Sequence, residues 1–407
     1  MKRCLLILSL FSLLQSSLFA KVLHTGHQQI YKELATAAKV AIPGDTILVY
    51  PGIYAGHQSL QHLQGTSKKW IYIIAKKRGT VFFEGDAAAW TGSDIAYLHI
   101  EGFVFSKQTV NGINFDDGGS YASPAHHLVL KHCTFRDMAA TGNNDLLKLS
   151  GMDDFNIQQC IFLNGSSGGS GIDMVGCHRG VISQCRFENM GSNALQMKGG
   201  SSDIRIEACV FKNAGERAIN LGGSTGKEFF RPLNANWEAS ALKVYSNVFI
   251  GSQVPIAFVG CTKSEVVNNT IYKPTRWVIR ILQENRDTLN FGKCGNNSFI
   301  NNVICIDQQV RTICSIGTGT IPESFKFSNN AWCHINNNSW TGAQLPVAET
   351  RTLLGKDPLF RDPAKEDFTI TNLSPLAVTG MPVKYPEKDN VGKAFNIKRA
   401  IGAFEQK

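Results

Sequence analysis

The chain has 407 residues with a formal charge of +9, 43% hydrophobic residues and 11 cysteines. Length alone allows two or three domains. The positive balance is compatible with an acidic partner, yet no dense Lys/Arg run or nucleic-acid-binding module is present, which argues against nucleic acid. Residues 1–20, MKRCLLILSLFSLLQSSLFA, combine a basic tip, an apolar run over Leu5–Leu14 and a small residue, Ala20, where cleavage is plausible. They read as an export signal, and no later stretch is apolar enough to insert in a membrane. The expected mature chain, 21–407, is secreted or periplasmic and a monomer.

After this leader, Gln29–Ala41 has a short helical pattern and leads into PGDTILVYPGIY (43–54), a helix suited to closing the first strand of a stack. WIYIIA (70–75), TVFFEG (80–85) and LHIEGFVF (98–105) supply further strands. A repeat then takes over in two phases. In the first, Cys133, Cys160, Cys185, Cys209, Asn247 and Asn269 align, each followed two residues on by Phe135, Phe162, Phe187, Phe211, Phe249 or Ile271. The second runs LLKLSG (146–151), GIDMVG (171–176), ALQMKG (194–199), AINLGG (218–223), PIAFVG (255–260) and VIRILQ (278–283). There Leu147, Ile172, Leu195, Ile219, Ile256 and Ile279 form one apolar column, and Leu149, Met174, Met197, Leu221, Phe258 and Ile281 another. Between them stand Lys148, Asp173, Gln196, Asn220, Ala257 and Arg280.

Alternation of period two gives strands with one buried and one wet face. Two such strands every two dozen residues or so cannot each bury a face alone, whereas stacked coils bury continuous columns. The prediction is all-β: a single right-handed parallel β-helix with an N-terminal helical cap, core repeats over about 95–345 and a C-terminal cap or tail over about 346–407. In the tail, 357–376 and 399–405 read as short strands. Side chains stacked in one column stand farther apart than a disulfide prefers, so Cys133, Cys160, Cys185 and Cys209 are expected to be buried thiols. The column lacks His and C-x-x-C spacing, which disfavours a metal there. Cys294, Cys305, Cys314 and Cys333 fall outside the pattern.

The A…PGDTILVYPGIY phrase, the C/N-x-F turns and the DPLF…DF…SPL…IGAFE ending resemble the secreted parallel β-helix proteins of the pectate lyase superfamily. The resemblance covers nearly the whole mature chain and implies the fold. The activities that share this architecture include lyases, hydrolases, epimerases and adhesins.

Between Asn220 and Ala257 the repeat is stretched to 37 residues, so an outgrowth leaves the stack between Gly222 and Ser240. It carries Phe229, Phe230, Arg231, Trp237 and Glu238, residue types that suit sugar rings and carboxylates but that also pack onto a stack. The wet column (Lys148, Asp173, Gln196, Asn220 and Arg280) and its neighbours Lys198, Glu216 and Arg217 converge on the same region, which extends to Glu284. The sharpest reading is β-elimination in an acidic, uronate-containing polysaccharide. Such a site neutralises a carboxylate and supplies a base. Arg280 or Arg231 would pair the carboxylate. Lys198, its pKa lowered by a neighbouring arginine, would be the base, with Arg217 as substitute and Glu216 orienting either cation or helping to hold Ca2+. Lys148, Asp173, Gln196, Asn220, Arg231, Trp237 and Glu284 would line the substrate. β-Helical lyases of the chondroitinase B and alginate lyase type are similar in using a basic pair on this fold.

The alternatives are a glycan-binding or surface-structural β-helix and a hydrolase or epimerase on the same frame. A hydrolase needs two separated carboxylates, whereas Asp116-Asp117 and Asp153-Asp154 read as turn pairs. His126, His127 and His132 have no G-x-S-x-G partner.

Overall fold

The structure is a computed structural model that describes residues 20–285, 287 and 289–406. The expected leader lies outside them, apart from Ala20. Three long parallel sheets run the length of the stack. The first begins at Val22–Thr25 and ends at Lys326–Ser328, the second runs from Gly52–Ala55 to Leu353–Leu354, and the third from Gln58–Ser59 to Cys314–Ile316. A short fourth sheet joins Ser201–Ser202, Ala239–Ser240 and Cys261–Thr262. The all-β parallel helix expected from the repeat is therefore what forms.

The predicted columns are in register. In the third sheet Leu147 pairs with Ile172, Ile172 with Leu195, Leu195 with Ile219, Ile219 with Ile256 and Ile256 with Ile279. All are fully buried. In the second sheet Phe135, Phe162, Phe187, Phe211 and Phe249 stack face to face, with centroids 4.7–5.0 Å apart. That is the strand spacing itself, so each coil adds one ring to a continuous aromatic rod.

The bend from the first sheet into the second is made at one residue per coil. His132, Gln159, Gln184, Ala208, Ser246, Asn268, Asn301 and Asn329 all take φ of 53–56°. The next residue points inward and bonds to the coil above. Cys160 N–H donates to Cys185 Sγ, and Cys185 N–H to Cys209 Sγ, each at 3.4 Å. From Cys209 onward the acceptor is an amide: Asn247, then Asn269, Asn302 and Asn330, with N–H to Oδ1 distances of 2.8–2.9 Å. Asn330 closes the ladder on the Glu349 carboxylate. The ten described cysteines are free thiols, and Cys133, Cys160, Cys185 and Cys209 are buried as expected. Cys294 and Cys305 are buried as well, while Cys314 and Cys333 are partly exposed.

The ends differ from expectation. The N-terminal helix spans only Leu34–Ala38. The tail forms no ladder strand after Leu353–Leu354 among the described residues. It runs along the outside of the second sheet, where Ile370, Leu376, Ala400 and Ile401 pack on Val303, Cys305 and Ala331, and Phe368, Ala403 and Phe404 on Val248. The far end of the core is met instead by Trp340, Ala343, Leu345 and Val347. The tail's Pro- and Gly-punctuated sequence lets it follow an apolar outer face without pairing its backbone as a strand.

Candidate functional site

The third sheet turns its polar column outward, and its register sets the site. Lys148 pairs with Asp173, Asp173 with Gln196, Gln196 with Asn220, Asn220 with Ala257 and Ala257 with Arg280. Asp173 is 2% exposed and sits between two lysines. Lys148 Nζ lies 3.1 Å from Asp173 Oδ2 and 3.6 Å from Asp145 Oδ2. Lys198 Nζ lies 3.1 Å from Asp173 Oδ1 and 3.3 Å from Gln196 Oε1. The Lys198 contact is an ion pair off the hydrogen-bonding direction, so Asp173 Oδ1 is buried without a hydrogen-bond donor among the described residues. Burial alone would pull Lys148 down, but Asp173 and Asp145 outweigh it and hold its ammonium above the usual range. Burial and the Asp173 charge push Asp145 up to about 6.

Above these residues is a cleft of about 530 Å3, lined by Asp116, Asp117, Tyr121, Ser150, Lys198 and Phe229 among others. The outgrowth forms its roof. Gly222 starts that excursion at φ +109°, where a Cβ would stand 1.8 Å from the Val259 carbonyl oxygen. Only glycine fits there. Tyr121, from the loop after Asn114 and Asp116, donates its hydroxyl to the Glu228 carbonyl and so joins the two walls. The buried Glu238 carboxylate clamps the outgrowth, accepting from Gly199 N–H at 3.0 Å and from Thr225 N–H and Oγ1 at 2.8 Å.

Farther along the sheet is a second charged group. Arg217 donates to Asn220 Oδ1 at 3.3 Å and to Glu284 Oε1 at 2.7 Å. Arg280 lies with its guanidinium carbon 4.9 Å from the Trp277 ring centroid, and that of Arg276 stands 3.9 Å from the same ring.

Several expected roles are corrected by these positions. Lys198 has the Asp173 carboxylate as its charged neighbour, not an arginine. Arg280 stands three coils beyond the Lys198 coil, about 14 Å along the stack, so the two do not share one reacting centre. Arg231 is folded inward: its Nη1 donates to Asp153 Oδ1 at 2.8 Å and to the Gly176 carbonyl at 3.2 Å. His178 adds a 2.9 Å contact to the same Asp153 oxygen, and Arg179 pairs with Asp153 Oδ2. Burial alone would raise Asp153, but hydrogen bonds from His178 and Arg231 hold it far below the usual carboxylate range. Arg231 borders the cleft, but its guanidinium is committed to Asp153. Trp237 packs with Phe230, Ala235 and Phe291, its indole N–H buried, and does not line the cleft. Asp173 and Asn220 are counter-ion and framework, both too buried to meet a ligand broadly. Glu216 is exposed beside the arginines. Among the described residues no three His, Cys, Asp or Glu side chains converge as a metal site.

The sequence reading missed Asp145 and Tyr121 as site components and named Phe229 only among the aromatics of the outgrowth. Asp145 could have been found, since it precedes the strand in line with Ser170 and Asn193; the two aromatics lie in loops outside any column.

Comparison with known proteins places this geometry on a familiar frame. Residues 29–208 match the family model described as chondroitinase B. No curated protein sequence matches the chain. Among solved structures, pectate lyase Pel9A is 14% identical, with a TM-score of 0.59 over 95% of this chain and 96% of that one. XylC, solved in complex with xylose, is 11% identical, with a TM-score of 0.55 over 94% and 98%. A rhamnogalacturonan lyase is 13% identical, with a TM-score of 0.50 over 81% and 90%. The frame that carries the lysine cleft and the arginine group is a β-helix of the polysaccharide-lyase type.

Proposed function

We propose that the chain is an exported polysaccharide lyase that cleaves an acidic, uronate-containing glycan by β-elimination in the Lys148–Asp173–Lys198 cleft. One observation carries this reading: two lysines on separate coils share one buried carboxylate at the floor of a cleft walled by Tyr121 and Phe229. The aromatic walls suit the apolar faces of sugar rings. Lys148, held charged by its carboxylates, neutralises the uronate carboxylate and makes the proton α to it more acidic. Lys198, in its neutral form, is the base. It then takes the C5 proton; the C4–C5 double bond forms as the C4–O bond breaks, and the new ammonium supplies the proton to the leaving oxygen. The lyase-type frame supports this assignment at the level of fold.

The experiment is incubation of the purified protein with alginate, pectate and glycosaminoglycans while the absorbance of unsaturated uronate is followed. Activity on one of them is expected, with Lys198→Ala lowering turnover by about 10²–10⁴-fold and folding unchanged. Absence of absorbance from every glycan, or full turnover by that variant, overturns the reading. Reducing ends without absorbance would indicate a hydrolase; binding alone would indicate a glycan-holding protein, the reading favoured if both lysines stay tied to Asp173.

A further inference from the structure

Most of the buried charge in this protein is matched. Arg231 has Asp153, Arg217 has Glu284, and the paired lysines have Asp173. Arg280 differs from these. Its Nε is buried without an acceptor, as are those of Arg231 and Arg399, but Arg231 has its carboxylate and Arg399 donates to Asn268 Oδ1 and the Pro386 and Val383 carbonyls, whereas the Arg280 side chain has neither an ion pair nor a hydrogen bond among the described residues. Burial, then the nearby charges of Arg217 and Arg276, weaken its hold on its proton, and the opposing Glu284 and Glu216 do not restore it. Arg276 is exposed and also without an ion pair among the described residues. Trp277 keeps the two guanidiniums close by offering its ring to both.

Cations brought together against their mutual repulsion, with a buried donor left open, cost stability unless something outside the chain completes them. The missing component is an oxyanion, for which guanidinium forks are the best-matched donors. We infer that Arg276, Trp277 and Arg280 form an anion subsite that takes a carboxylate or sulfate of an acidic glycan at a distance from the lysine cleft. The two are linked along the sheet by Gln196, which contacts Lys198, and by Asn220, which pairs with Gln196 in register and contacts Arg217. A single glycan that meets both must extend over three coils. The subsite therefore selects for length: short acidic saccharides fill the cleft only, and longer ones gain the second anchor.

This inference rests on the proposed glycan reading for its ligand class, but its test needs no turnover. Binding of oligogalacturonates and oligomannuronates of increasing length, and of sulfated chondroitin oligosaccharides, is measured by calorimetry on the full chain. The proteins compared are the wild type, Arg276→Ala/Arg280→Ala and Arg280→Lys. The double variant is expected to lose at least about tenfold in affinity for long chains while binding the shortest ones as the wild type does. Arg280→Lys, which keeps the charge and loses the fork, should fall between them. A carboxylate site responds to the uronate series, a sulfate site only to the sulfated one. Equal loss at every length, no loss at any length, or no binding of any series overturns the subsite. Length-dependent binding without unsaturated product would leave the subsite standing and remove the lyase.

Discussion

Two arginines close to one groove illustrate how differently this molecule treats charge. Arg231 arrives on an outgrowth, 78 residues after its partner Asp153, and is enclosed by that carboxylate, His178 and the Gly176 carbonyl. Arg280 sits on a regular strand, yet faces other arginines and an indole. The first guanidinium is paired with a carboxylate and serves the fold; the second has neither an ion pair nor a hydrogen bond among the described residues, as the proposed anion subsite requires. Position in an outgrowth or a strand is thus a poorer guide to function than whether the counter-charge is already inside the protein.

The contrast can be broken from either side. The largest effect is expected at Asp153. Replacing it with Asn leaves Arg231 buried and short of a counter-charge, and chemical denaturation should show a loss of about 3–5 kcal/mol. Because the Asp153 pKa is depressed on folding, its contribution is complete above the unfolded value near 4 and is lost as the pH falls through the lower folded value. The wild-type advantage over the variant should therefore shrink in acid; a constant difference would mean that the cluster is held by packing alone. Asp145 tests the opposite sign. Its pKa rises to about 6 on folding, so its favourable contribution exists below the unfolded value and disappears as the pH climbs through 6. Asp145→Asn should gain on the wild type by roughly 1–3 kcal/mol between pH 4 and 7, read from melts at both pH values. The smallest effect is expected at Arg280, where Arg280→Met removes repulsion without breaking an ion pair. Thermal unfolding should show no loss, or a gain of up to about 1 kcal/mol; a clear loss would place Arg280 with Arg231 as a structural residue.

Much of the fold could be read from the residues because stacking makes a repeated constraint visible. Each coil must bury the same two side chains in the third sheet, which fixes Leu147 to Ile279 and Leu149 to Ile281, and the same ring in the second. The polar column followed, since what lies between two buried residues of a strand faces out. The Asn column was traced only to Asn269. The next members, Asn302 and Asn330, come 33 and 28 residues later, and irregular spacing hides them from a period search. Burial of the outgrowth was not legible, because Arg231 and Asp153 meet through a loop whose path no periodicity records. Lys198 does line the cleft, but its neighbour was not foreseen. Reaching Asp173 depends on side chains leaning across coils, which backbone register leaves open.

The aromatic rod from Phe135 to Phe249 bears on how such a chain can vary in size. Adding or deleting a few residues inside a coil would slide a ring out of the pile and expose its neighbours' faces, so that kind of change is disfavoured throughout the body. Growth is confined to two quanta: an entire coil that brings its own ring and bend residue, or a protrusion at a corner, as between Gly222 and Ser240. New specificities on this scaffold should consequently arise as corner protrusions laid over an unaltered rod.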